Sequence, residues 1–261
     1  MWDVLIINPM LNSLLYLYQL LFNNFTLAIT VFTILVRVLT YPLIYQQQKS
    51  AKALNELQQS EAWKKVQAKY AKDKEKLAQE QMKMYQQAGV SPLSGCLPTL
   101  IQFPILIGLY QAISLALADS PVQVLNLSRR IYPFLPNVAG LVPLNNTFLW
   151  LNLVKPDPYF VLPVLVAITT WLQSRVMTPP NASADPQAAQ MTQSMAILMP
   201  LMFGYFSLQF SSGLSIYFII SNVIGIVQYA LTTPVDWKRV FSFSLRPSSS
   251  AISDAANKKN T

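Results

Sequence analysis

The sequence predicts an all-α, polytopic membrane protein. It has five transmembrane helices, an N-terminal helix lying in the membrane interface and a cytoplasmic helical hairpin. Three observations carry that expectation. Hydrophobic residues make up 52% of the 261-residue chain and charged residues 11%, against about 25% charged in an ordinary soluble domain. Apolar runs alternate with polar segments along the whole chain. Between residues 46 and 91 the composition inverts, with nine lysines and five acids. The chain has no His, and Cys96 is its one cysteine. Disulfide frameworks, cysteine–histidine zinc sites and histidine triads are therefore excluded, and no metal or cofactor is expected. Cys96 lies in an apolar segment and reads as a small packing residue.

Residues 1–24 read as an amphipathic helix on the outer membrane surface. Asn8-Pro9 is a helix start, and the run from Met10 to Phe22 is too short to span before Asn23-Asn24 breaks it. The opening Met-Trp-Asp lacks a basic region and no small-residue cleavage site follows, so this segment is expected to be retained. A first span covers 25–45, with Pro42 bending its end. Residues 46–92 form the hairpin. There Trp63, Tyr70, Leu77 and Met84 repeat every seven residues, a weak heptad that fits two helices packed on each other or one solvated helix with an apolar stripe. The remaining spans fall at 95–118, 158–177, 195–210 and 213–232. They are separated by an external loop (119–157), a cytoplasmic loop (178–194) and a short turn around Ser211-Ser212-Gly213. The tail 233–261 is polar, Ser-rich and basic, and is expected to be disordered.

Lysine and arginine placement orients the chain. The hairpin's lysines, Arg175, and Lys238, Arg239, Arg246, Lys258 and Lys259 of the tail lie on one side. The other side carries only Arg129, Arg130 and Lys155. The N-terminus is therefore expected outside and the C-terminus in the cytoplasm.

Within the spans, Arg37 stands out. It lies in an apolar run with no acid, about 12 Å short of the polar end at ~1.5 Å per residue. A charge there costs a few kcal/mol and marks a functional site by default; the bland alternative is an arginine that snorkels to the headgroups. Thr33 is one turn earlier on the same face, although threonine also bonds back to its own helix. Gln173 is a polar position of the third span. Tyr217, Ser221 and Gln228 share a face of the fifth span, with Asn222 adjacent, and each alone is equally a helix–helix hydrogen-bond partner. No span contains Asp or Glu, so Arg37 lacks an acidic partner and requires hydration in a wet cavity. Pro98 and Pro104 distort the second span and free carbonyls that need water or neighbours.

On these residues the chain resembles the YidC/Oxa1/Alb3 family of membrane protein insertases, from about residue 25 to 232. The resemblance is carried by Thr33 to Arg37 followed by Tyr41-Pro42-Leu43, Pro92 to Pro98, Ile101 to Ile105, Pro156 to Tyr159 leading to Leu162-Pro163, Met199-Pro200, and Ser212 to Leu214 running on to Tyr217 and Ser221-Asn222. It implies five spans around a hydrophilic groove open to cytoplasm and lipid, in a bacterial plasma membrane, with no enzymatic chemistry. Carried over residue by residue, the substrate groove contains Arg37, Thr33, Gln173, Tyr217, Phe218, Ser221 and Asn222. The implied partners are nascent membrane proteins and the bilayer, with ribosome contact through the basic tail, the Sec translocon and the signal-recognition-particle pathway; no specific nucleic-acid readout is expected. Three departures stand out. Phe218 replaces a Trp or Tyr, Ser211 replaces a proline, and the hairpin turn near Lys72-Asp73 lacks glycine. A small-anion transporter using Arg37 is the competing reading, but it calls for an internal repeat with broken helices, which is not evident. A membrane-embedded enzyme would lack acid–base groups.

Overall fold

The computed structural model describes residues 1–70, 73–89, 97–117, 121–133, 144–177, 186–233, 235 and 237–241. Lys72, the motif from Pro92 through Cys96, Arg246, Lys258 and Lys259 lie outside them.

A π-helical turn, Asp3–Ile7, leads into α1 (Asn8–Leu20), whose first turn holds the expected proline. Phe22 and Asn23 both adopt left-handed backbone (φ 56° and 57°). That reverses the chain, and the Asn24 side chain then accepts from Leu27 N at 3.1 Å to cap α2 (Phe25–Gln59). The Asn-Asn break thus has a mechanism. The helix α1 does not stand apart as a surface element. Leu11, Leu14 and Leu15 are fully buried, and α1 packs on α2 and on α5 (Leu97–Ala116). Its apolar stripe meets protein, while Tyr16 and Leu20 stay exposed.

Helix α2 runs unbroken for 35 residues with Pro42 inside, or about 52 Å. The expected end of the first span at 45 is no helix boundary. Ser60 ends the rod, and its hydroxyl accepts from Trp63 N at 3.2 Å to start α3 (Glu61–Lys69). Asp73 caps α4 (Lys74–Gln87) by accepting from Lys76 N at 3.1 Å. Helices α3 and α4 pack on each other. Trp63 is buried and its ring lies 5.2 Å from that of Tyr85, whereas Tyr70, Leu77 and Met84 are only half-buried, in keeping with a weak heptad.

The segment expected as an external loop is more structured than that. It contains α6 (Pro121–Arg130) and an antiparallel pair, β1 (Thr147–Phe148) and β2 (Leu151–Asn152), with Phe148 opposite Leu151. Arg130 reaches back to α1, donating to Asn8 Oδ1 at 3.3 Å and lying 3.5 Å from Asp3. Asp157, buried, accepts from Tyr159 N (3.1 Å), Leu162 N (2.8 Å) and Trp150 Nε1 (3.3 Å) at the entry to α7 (Val161–Met177).

Helix α8 (Pro186–Ser207) begins well inside the segment expected as a cytoplasmic loop. The run 186–194 lacks Gly, so propensity favours continuing the helix over a loop. Four residues link it to α9 (Ser212–Thr232), the short turn expected. The start of α9 is tied to the segment that follows β2: Ser212 N donates to Lys155 O (2.8 Å) and Gly213 N to Leu153 O (3.1 Å). A Cβ on Gly213 would sit 3.2 Å from that same Leu153 oxygen. Finally, α10 (Trp237–Phe241) is a helix where the composition predicts a disordered tail. Its Val240 is buried against Val176 and Ile226, and that apolar seat supplies what the polar composition lacks.

The main core joins α1, the first half of α2, α5, α7, α9 and the β-pair, through residues such as Leu14, Ile29, Ile113, Val166, Leu153 and Leu214. All of it lies at one end. Among the described residues α2 and α9 are long and apolar enough to cross a membrane, and Gln102–Ala116, Val161–Met177 and Ser194–Ser207 are shorter apolar helices. Large apolar side chains stay exposed along them, among them Leu39 (80%), Leu201 (63%) and Leu231 (82%). Such a surface suits lipid rather than water.

Candidate functional site: a polar seam between α2, α7 and α9

The apolar core stops abruptly. On α2 its last buried member is Phe32, beside the buried Thr33, and on α9 the last are Tyr217 and Phe218. One turn further on each helix come Arg37 and Ser221. They meet: Arg37 donates to Ser221 Oγ from Nε at 3.1 Å and from Nη2 at 2.6 Å. Ser221 is buried and Arg37 half-buried. Among the described residues Arg37 takes part in no salt bridge. Its positive charge is held by one neutral hydroxyl.

The seam continues along α9 at steps of three and four residues, which keep one face of a helix. At the end next to the core Tyr217 is buried, and its hydroxyl accepts from Gln102 Nε2 of α5. Ser221 comes next. Gly225 follows, and a Cβ there would fall 2.5 Å from Gln173 Nε2 and 3.5 Å from Arg37 Nη1. The amide of α7 and the guanidinium of α2 thus converge over an α9 position without a side chain. Gln228 then donates to the Arg37 carbonyl at 3.2 Å, leaving its own Oε1 buried without a partner. Thr232 donates to Gln48 Oε1 at 3.1 Å. Gln47, on the neighbouring α2 position, is buried with both amide atoms unpaired. Unpaired buried amides are costly unless water or a ligand reaches them.

Of the residues expected at the site, Arg37, Ser221, Tyr217 and Gln173 are brought together. Three are placed otherwise. The Thr33 hydroxyl is fully buried and donates to Ile29 O of its own helix at 2.7 Å. Asn222, one residue past Ser221 and so turned about 100° away, donates to Thr169 Oγ1 (3.2 Å) and Thr170 Oγ1 (2.9 Å) of α7. Phe218 packs on Phe203 of α8 with ring centroids 5.3 Å apart. The side-chain contacts of these three lie in the helix packing rather than along the seam. Sequence reasoning misses Gly225, which has no polar group to draw attention, and leaves Gln102 and Gln228 outside the site, though both are visible as amides in apolar runs. Of the basic tail, Lys238 is exposed on α10. Among the described residues no group of three or more His, Cys, Asp or Glu suitable for a metal occurs.

These features define a class, a helical membrane protein in which, among the described residues, one arginine is set into an otherwise neutral polar seam. The family model described as 60Kd inner membrane protein matches residues 16–236, and the chain belongs to that family, the YidC/Oxa1/Alb3 group. It is 34% identical over 242 residues to Membrane protein insertase MisCA of Bacillus subtilis (strain 168), an alignment covering 91% of this chain and 81% of that protein. It is 36% identical over 234 residues to Membrane protein insertase YidC 2 of Bacillus anthracis, covering 88% and 80%. The crystal structure of an active YidC insertase with its first transmembrane domain resolved superposes with a TM-score of 0.53 at 27% identity. That match covers 84% of this chain and 43% of the solved one.

Proposed function

We propose that this protein inserts newly made integral membrane proteins into a bacterial plasma membrane and assists their folding, without enzymatic chemistry. The names of its relatives support the activity. The observation that carries the mechanism is the Arg37–Ser221 pair, a membrane-level cation with a hydroxyl as its hydrogen-bond partner and, among the described residues, no carboxylate. A guanidinium has five donors, so a charge held this loosely keeps attraction for an acidic segment arriving from the aqueous side. The seam from Gln48 and Gln228 to Tyr217 is then the wall of a hydrophilic groove that a short polar tail follows, while its apolar helix leaves into lipid along the exposed face of α2. The membrane potential adds ~2.3 kcal/mol per acidic charge per 100 mV. The packed core and the bonds from Lys155 and Leu153 to α9 favour a groove closed at its outer end.

In this reading α2, α5, α7, α8 and α9 are the five spans, with the N-terminus outside and the lysine-rich α3–α4 hairpin in the cytoplasm. The Sec translocon, the signal-recognition-particle pathway and the ribosome supply substrates, the last through the basic tail. Reconstitution in liposomes with a single-span substrate carrying an acidic N-terminal tail tests the mechanism. Arg37→Ala is expected to lower insertion about tenfold or more and Arg37→Lys to keep most of it. Undiminished insertion by Arg37→Ala sinks charge capture.

A further inference from the structure

Beside the basic residues given to ribosome contact, the segment after α9 carries an aromatic feature that the insertion mechanism does not use. Helix α10 is only five residues long, yet it is docked: Val240 is buried, with Val176 of α7 and Ile226 of α9 around it and Leu172, Tyr229 and Val235 at the edge. Trp237 and Phe241 lie one turn apart on the same face and are 46% and 65% exposed. Their rings stack with centroids 6.5 Å apart and planes at 24°. Lys238 is exposed as well and stands about 100° from Trp237 around the helix. Going round α10, the side that grips the bundle gives way to an aromatic pair and then to positive charge. Residues 236–246 hold Lys238, Arg239 and Arg246 against the single acid Asp236. Four residues separate it from α9, a helix long and apolar enough to span, so a bilayer crossed by α9 would have its hydrocarbon boundary near α10.

We propose that α10 is a lipid-binding foot: Trp237 and Phe241 insert at the boundary between acyl chains and headgroups, and the adjacent basic residues bind anionic headgroups of the same leaflet. Stacked, exposed aromatics beside lysine suit that boundary, since an aromatic ring favours the interfacial layer and anionic lipid attracts nearby basic side chains. Water alone would leave two large apolar rings uncovered. Because Val240 is fixed on the α7–α9 junction, the foot also holds that junction at a set depth.

The test uses the full chain in liposomes, with Cys96→Ser as background and Phe241→Cys or Trp237→Cys carrying an environment-sensitive fluorophore. Both positions are exposed, so the bundle folds around either label. Nitroxide placed near the top of the acyl chains is expected to quench each label about twofold or more above a Lys65→Cys control. Phosphatidylglycerol vesicles are expected to give deeper quenching than phosphatidylcholine, and Lys238→Glu with Arg239→Glu to remove that difference. Quenching by aqueous iodide alone overturns the proposal, because the face is then in water. Protection from both quenchers overturns it too, since another protein or a second copy covers the face. Equal quenching in neutral and anionic vesicles overturns the headgroup assignment.

Discussion

Arg37 and Ser221 are 184 residues apart in sequence and joined by two hydrogen bonds to one oxygen, at 3.1 and 2.6 Å. The bidentate geometry that guanidinium offers a carboxylate is here closed on a hydroxyl. Ser221 therefore orients the charge without neutralising it. Ser221→Ala is expected to loosen the guanidinium and cost about 1 kcal/mol of thermal stability, while insertion of acidic-tailed substrates falls less than in Arg37→Ala. Insertion assays and thermal unfolding in detergent on the same two variants check this. An equal loss of insertion in both shows that orientation, not charge, matters.

Gly225 makes room for Gln173. In Gly225→Ala the new methyl lies within 2.5 Å of the Gln173 amide nitrogen, the far end of a flexible side chain, so the amide moves and the fold survives. Insertion is expected to drop severalfold with unchanged expression. In the double variant with Gln173→Ala the same methyl is expected to have almost no further effect, because neighbours sharing one space are not additive. An additive pair removes the link between the two residues.

Asn222 separates bundle from site. Its amide holds Thr169 and Thr170 of α7, so Asn222→Ala is expected to lower thermal stability by about 0.6–1.7 kcal/mol and to leave insertion per folded molecule unchanged. A selective loss of insertion returns Asn222 to the groove.

How far the sequence could be read follows from these neighbours. Arg37 was legible because charge in hydrocarbon is costly, and Ser221 because it shares a face with Tyr217 and Gln228. Asn222 donates to α7 rather than meeting Arg37 because one residue turns a helix by about 100°, and polar character alone does not say which way a side chain faces. Thr33 had two outlets, and the local carbonyl won. The apolar stripe of α1 was visible, but periodicity does not tell whether protein or lipid covers it. Helix α10 was too short for any period, and its order comes from a seat supplied by α7 and α9.

A pH effect belongs to the lysine-rich end. Asp73 caps α4, and its bond from the Lys76 backbone, helped by the Lys76 side chain, holds the carboxyl below the usual aspartate range. A depressed folded-state value stabilises above the unfolded value of about 3.9 and is lost as pH falls through the folded one. Amide exchange at Lys74–Lys76 is expected to speed up, relative to the intrinsic rate, as pH drops below that range, and Asp73→Ala is expected to show the fast rate at neutral pH. Protection unchanged across that interval in the wild-type chain contradicts the assignment.

The unbroken run of α2 from Phe25 to Gln59 makes it a lever. One arm is clamped beside α1, with Phe25, Ala28 and Ile29 buried, and the other carries α3 and α4 beyond Ser60. Force applied to the lysine-rich end, by whatever seizes it, becomes torque about the clamped arm. Arg37 lies between fulcrum and load, with Pro42 the compliant point just past it. Displacement of the hairpin is thus expected to reach Arg37 only to the extent that Pro42 passes it on.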